Sequence, residues 1–130
     1  MSIWHELKHF RRSEFTCPCC NDARMNSVLL RYLENIRETS DVTMVVTSGW
    51  RCTHHNQYVG GAHESAHLFG RAADIQMPEW GLDRFKLVRA ALLVLAPEGY
   101  SVQLGLYKRH LHIGLTRCLT YRHEHTLWID

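Results

Sequence analysis

The residues with most evident chemistry lie in Ser65-Ala66-His67-Leu68-Phe69-Gly70-Arg71-Ala72-Ala73-Asp74. His67 and Asp74 are both candidate ligands for a divalent metal. On one unbroken helix their spacing would put them on a shared face two turns apart. Gly70 and the small, β-compatible tail Ala72-Ala73-Asp74-Ile75 argue for something else. They predict a loop carrying His67 that turns at Gly70 and runs into a strand carrying Asp74. Two ligands do not complete a site. A catalytic zinc takes three protein ligands and keeps its remaining position open.

The third is supplied by His110-Leu-His-Ile-Gly-Leu115. Leu111, Ile113 and Leu115 alternate onto one face of a strand, which turns His110, His112 and Gly114 to the other. Two histidines at that spacing have Cα atoms about 6–7 Å apart, so one can bind metal while the other reaches a substrate beside it. His123-Glu124-His125 repeats the spacing but lacks apolar alternation, and His110/His112 is the pair we expect to act. Arg51 ends the turn Ser48-Gly49-Trp50-Arg51. It reads either as a guanidinium held at a cleft rim, suited to a carboxylate, or as an ordinary surface arginine.

The elements that must hold these residues can be traced along the chain. Residues 1–20 lack periodicity and contain Pro18, which predicts an irregular N-terminal arm. Residues 22–39 predict a helix capped by Asn21 or Asp22, with Met25, Val28, Leu29, Tyr32, Leu33 and Ile36 on its buried face. The β-branched run Val42–Thr47 predicts a central, buried strand. Residues 52–63 read as a polar loop with a tight turn at Gly60-Gly61, and His54, His55 and His63 as loop residues rather than ligands. Residues 79–96 predict a second helix with Leu82, Phe85, Val88, Leu92 and Leu95 inward, ended by Pro97 and Gly99. Val102, Leu104 and Leu106 mark a half-buried strand, and 118–130 a C-terminal tail.

With 130 residues the chain fits one domain, 1–130, with a single core. A net charge of +2 without a basic stripe argues against nucleic acid as a partner. The apolar run Ala90–Ala96 is far short of a membrane span, and a monomer is expected. The N-terminus shows no basic region followed by an apolar segment, so no signal peptide is expected. The five cysteines do not pair completely, which favours reduced thiols. Cys17-Pro18-Cys19-Cys20 has the spacing of a zinc knuckle without a second CxxC. Cys52 or Cys118 would have to complete such a site, and buried or surface thiols are the expectation.

Together, Ser48-Gly49-Trp50-Arg51, Asn56, Gly60-Gly61-Ala62, Ser65-x-His67-x-x-Gly70-x-Ala72-x-Asp74 and His110-x-His112 resemble the zinc D-Ala-D-Ala carboxypeptidase family. Within it they resemble the branch whose last strand carries paired histidines. The resemblance runs from His9-Phe10 and Glu14-Phe15 to Gly114. It implies an α+β fold, a small antiparallel sheet with helices packed on one side, shared with the hedgehog signalling domain. It also implies Zn2+ held by His67, Asp74 and His112, with His110 in the catalytic position. Related branches place a carboxylate base where this chain has Arg109, so the histidine variant is implied here. Arg51 would bind a substrate carboxylate or stabilise the oxyanion, and Ser65 would shape the same substrate-binding pocket. The implied activity is hydrolysis of peptidoglycan stem-peptide bonds, as a carboxypeptidase or a lysin endopeptidase. Without a signal peptide, the expected setting is synthesis in the cytoplasm and action on the cell wall after release, as a phage lysin or tail-associated enzyme. The alternative is a non-catalytic metal-bearing binding or phage structural module of the same fold.

Overall fold

A computed structural model describes residues 2–117 and 125–130. Its centre is a five-stranded sheet formed by β1 (Val46–Ser48), β2 (Ala72–Gln76), β3 (Tyr100–Leu106), β4 (His110–Arg117) and β5 (Thr126–Ile129), in the order β1-β2-β4-β3-β5. The first four strands pair antiparallel, and β5 joins parallel to β3. Helices α1 (Ser27–Ser40), α2 (Thr53–Tyr58) and α3 (Leu82–Leu93) complete an α+β fold. The core joins Leu29, Leu33 and Ile36 of α1 and Leu87 of α3 to Ile75, Leu104 and Ile113 of the sheet. Alternation then works as the sequence requires. Leu111, Ile113 and Leu115 are buried on that face, and His110 and His112 are left on the other.

Several elements differ from the sequence expectation. α1 starts at Ser27 because Asn26, not Asn21 or Asp22, is its cap: Asn26 Oδ1 accepts from the Val28 and Leu29 N–H groups. Asn21 is in the left-handed region, and the Asp22 carboxylate is occupied by Arg12, Arg24 and the Ala23 N–H. β1 is three residues long and lies at the sheet edge rather than its centre, with a register shift between Val46 and Ser48. Residues 53–58 form helix α2, where a polar loop is expected; its N-cap Cys52 Sγ accepts from the His55 N–H.

α3 spans less than 79–96 and buries a different face. Leu87, Ala90 and Ala91 are inward, whereas Leu82, Phe85, Leu92 and Leu95 are exposed. The alanines have no bulk to hold α1 away, and the Tyr32 hydroxyl donates to the Ala91 carbonyl at 3.5 Å. Thr126–Ile129 is a strand rather than part of a plain tail. Cys118, His123 and Glu124 lie outside the described residues. His125 is described, and its Nδ1 accepts from the Val102 N–H at 3.1 Å. No helix among the described residues is long and apolar enough to cross a membrane.

The N-terminal arm, with short 3-10 turns at Ile3–His5 and Arg12–Phe15, is tied to α1 by an exposed Arg31–Glu6 ion pair at 2.8 Å and, more deeply, at Glu34. Glu34 accepts from the Lys8 N–H at 2.6 Å, the His9 N–H at 2.8 Å and His9 Nδ1 at 2.6 Å. Burial alone would raise its pKa, but these hydrogen bonds outweigh that and hold it below the usual range. A depressed carboxylate stabilises the fold above its unfolded pKa of about 4.3, and that stabilisation is lost as pH falls through the lower folded value. Glu34→Gln should therefore cost on the order of 1–2 kcal/mol at neutral pH. Its difference from wild type in urea denaturation should shrink below about pH 4.

Candidate metal centre

One row of register-matched residues crosses all five strands: Ser48, Asp74, His112, Gly105 and Trp128. Asp74 and His112 are thus direct cross-strand neighbours, and His112 Nδ1 lies 2.9 Å from Asp74 Oδ1. His67 reaches the same carboxylate from the connection before β2. It sits in a 3-10 turn, Ala66–Phe69, whose first residue is preceded by Ser65; Ser65 Oγ accepts from the His67 N–H. Ser65 therefore holds the turn that carries His67. The expected loop is in fact this turn, closed by Gly70 at φ 66°. There the chain presses so close to Arg24 that a Cβ on Gly70 would stand 2.0 Å from the Arg24 carbonyl oxygen.

His67 is buried, and its Nδ1 donates to the Gly49 carbonyl at 2.8 Å. That bond leaves Nε2 facing Asp74 Oδ2 at 3.5 Å. The edge of a tetrahedron with bonds of ~2.1 Å is roughly 3.4 Å, so this pair fits two ligands of one zinc. A histidine ligand whose other nitrogen donates to a backbone carbonyl is also held in the required tautomer. His67, Asp74 and His112 each offer a ligand atom, all within 4.8 Å of one another. The residues present fit the metal. Burial alone would raise the Asp74 pKa. Hydrogen bonds to His112 and His67, together with their charges, reverse this and hold the carboxyl far below its usual range.

Arg51 is not a free surface arginine. Its Nη2 lies 3.7 Å from Asp74 Oδ2, Nε donates to Ser48 Oγ at 3.3 Å, and Nη1 to Asn56 Oδ1 at 3.4 Å. It lines an open cleft of about 520 Å³ together with Trp50, Asn56, His63, Glu64 and Leu68. His110 lies apart from the three converging donors, on the same face of β4 as His112. Its ring stacks on Tyr107 with centroids 4.3 Å apart and planes 10° from parallel. Tyr107 Oη accepts from Trp128 Nε1 at 2.9 Å, and the Trp128 ring lies 5.5 Å from that of His112. Sequence reasoning missed Tyr107 and Trp128. The bare Gly105 between Leu104 and Leu106 was the available signal, because a Cβ there would come within 2.5 Å of the Trp128 ring.

Two imidazoles and a carboxylate converging beside an open cleft are a donor set of the type that a zinc ion with an open position takes. A family model described as peptidase M15 matches residues 8–114, and the chain belongs to this family of zinc D-Ala-D-Ala carboxypeptidases. Comparison with curated proteins finds no match.

Gly70 tests how strictly the site depends on its turn. Gly70→Ala adds left-handed strain of about 1–2 kcal/mol and a backbone clash of about 1–3 kcal/mol. Thermal or urea unfolding should show a loss of that combined order, accompanied by weaker zinc binding as His67 shifts. Wild-type stability and zinc affinity in this variant would refute the dependence.

Proposed function

We propose that this chain hydrolyses peptide bonds in peptidoglycan stem peptides, acting as a D-Ala-D-Ala carboxypeptidase or a lysin-type endopeptidase after release to the cell wall. Zn2+ is held by His67, Asp74 and His112. The observation that carries this reading is the convergence of those three donors beside Arg51, which lines an open cleft with Asn56, His63 and Glu64. Zinc bound there supplies a water whose pKa falls towards ~7 and polarises a carbonyl oxygen.

The protein's own residues do the rest. Arg51 offers a guanidinium fixed by Ser48 and Asn56, suited to a substrate carboxylate or to negative charge developing on the carbonyl oxygen. His110 moves a proton to or from the reacting groups, its ring plane set by the Tyr107 stack. Ser65 shapes the same pocket and caps the turn that carries His67. Burial would raise the Asp74 pKa, but its hydrogen bonds to His112 and His67 and their charges hold it far below the usual range, so it offers a cation a negative charge at neutral pH.

Digestion of muropeptides followed by mass spectrometry tests the reaction. Loss of a terminal D-alanine identifies a carboxypeptidase, and an internal cut identifies an endopeptidase. A protein that binds zinc yet releases no product from any peptidoglycan type is a non-catalytic module instead. His110→Ala should retain zinc while kcat falls on the order of 10²–10⁴-fold, the range for a proton-transfer group. Full activity in that variant would remove His110 from the mechanism. A chelator should abolish hydrolysis, and added zinc should restore it.

A further inference from the structure

A second group of metal-ligand side chains lies away from the sheet. Cys17, Cys20 and Cys52 offer sulfur atoms that all lie within 4.8 Å of one another. Cys17 Sγ and Cys52 Sγ are 3.6 Å apart. A tetrahedral zinc with Zn–S bonds of ~2.3 Å has sulfurs roughly 3.8 Å apart. A disulfide would bring them to ~2.05 Å. The observed separation matches the metal edge.

The backbone is shaped for the same purpose. The Asn21 N–H donates to the Cys17 carbonyl at 2.8 Å, and the Cys17 N–H to the Asp22 carbonyl at 2.7 Å. These bonds curl Cys17–Asp22 into a closed turn, with Asn21 at φ 58°. The turn presents Cys17 and Cys20 to Cys52, which arrives from another part of the chain as the first residue before α2. Cys17 is fully buried, whereas Cys20 is exposed.

We propose that Cys17, Cys20 and Cys52 bind a second, structural zinc, its fourth position left to another donor such as Cys19 of the same turn. This ion ties the N-terminal arm to the residue next to Arg51. It is independent of the His67–Asp74–His112 centre and of the reaction assigned to it.

Protein purified under reducing conditions should contain two zinc ions per chain. A His67→Ala/His112→Ala variant should keep one of them, and Cys17→Ser/Cys52→Ser should lose that one. Cobalt distinguishes the sites without any activity measurement, because thiolate ligation gives intense near-ultraviolet charge-transfer absorption. That absorption should appear in wild type and in the double-histidine variant, and disappear in the double-cysteine variant. Cys20→Ser, at an exposed position, should weaken it if the buried substitutions prevent folding. Cobalt-loaded wild type without the band, or a Cys17–Cys52 disulfide in protein isolated under reducing conditions, would overturn the proposal.

Discussion

The Asp74 carboxylate is the constraint on which the arrangement depends. It is a nearly buried charge with His112 at 2.9 Å, His67 at 3.5 Å and Arg51 at 3.7 Å. An ionised carboxylate taken out of water without partners is costly, and leaving one unpaired typically costs 3–5 kcal/mol. All three partners come from other segments, so Asp74 is tolerable only in the completed fold. Strand register enforces this. A slip of one residue between β2 and β4 would turn His112 into the core and Ile113 out of it. The apolar alternation that buries Leu111, Ile113 and Leu115 therefore also aims the imidazole.

The segment behind the sheet holds the other half of the centre. Gly49 must be glycine because a Cβ there would meet the Phe15 backbone at 2.5 Å. With no side chain in the way, the Trp50 N–H donates to the Phe15 carbonyl and the Gly49 carbonyl is left to orient His67. The Arg51 N–H then donates to the His67 carbonyl, and the Asn26 N–H to the Gly70 carbonyl. Arm, turn and arginine loop thus form one hydrogen-bonded unit. This unit, rather than any long helix, fixes His67 against Asp74.

Much of this was legible in the residues. The alternation at 110–115 gave both the strand and the direction of its histidines. Gly70 marked the turn, and the face Leu29, Tyr32, Leu33, Ile36 marked α1. The failures share a physical cause, because periodicity reports which residues are apolar and not which face another element covers. In α3 the small Ala90 and Ala91 permit close approach to α1, and the larger Leu82, Phe85 and Leu92 are left outside. β5 was missed because its pairing with β3 is long-range and its burial slight: Leu127 and Ile129 remain exposed, so it lacks the inward stripe that identifies a strand. The cysteine cluster was half visible as CxxC. Which of Cys52 and Cys118 would approach it depended on a fold that spacing does not encode.

Arg51 shows how local sequence becomes preorganised chemistry. The pair Gly60-Gly61 reads as a simple turn, but a Cβ on Gly61 would fall 2.1 Å from Asn56 Oδ1 and 3.1 Å from Arg51 Nη1. The missing side chain makes room for Asn56, which is buried and donates from Nδ2 to the Ala62 carbonyl at 2.8 Å. So anchored, its Oδ1 is free to accept from the guanidinium. Ser48 and Asp74, neighbours in the row across the sheet, hold the same group from the other side. A long cationic side chain normally loses rotamer freedom when it engages a ligand. Here folding has already imposed that loss, so the guanidinium stands in fixed position beside the Asp74 carboxylate.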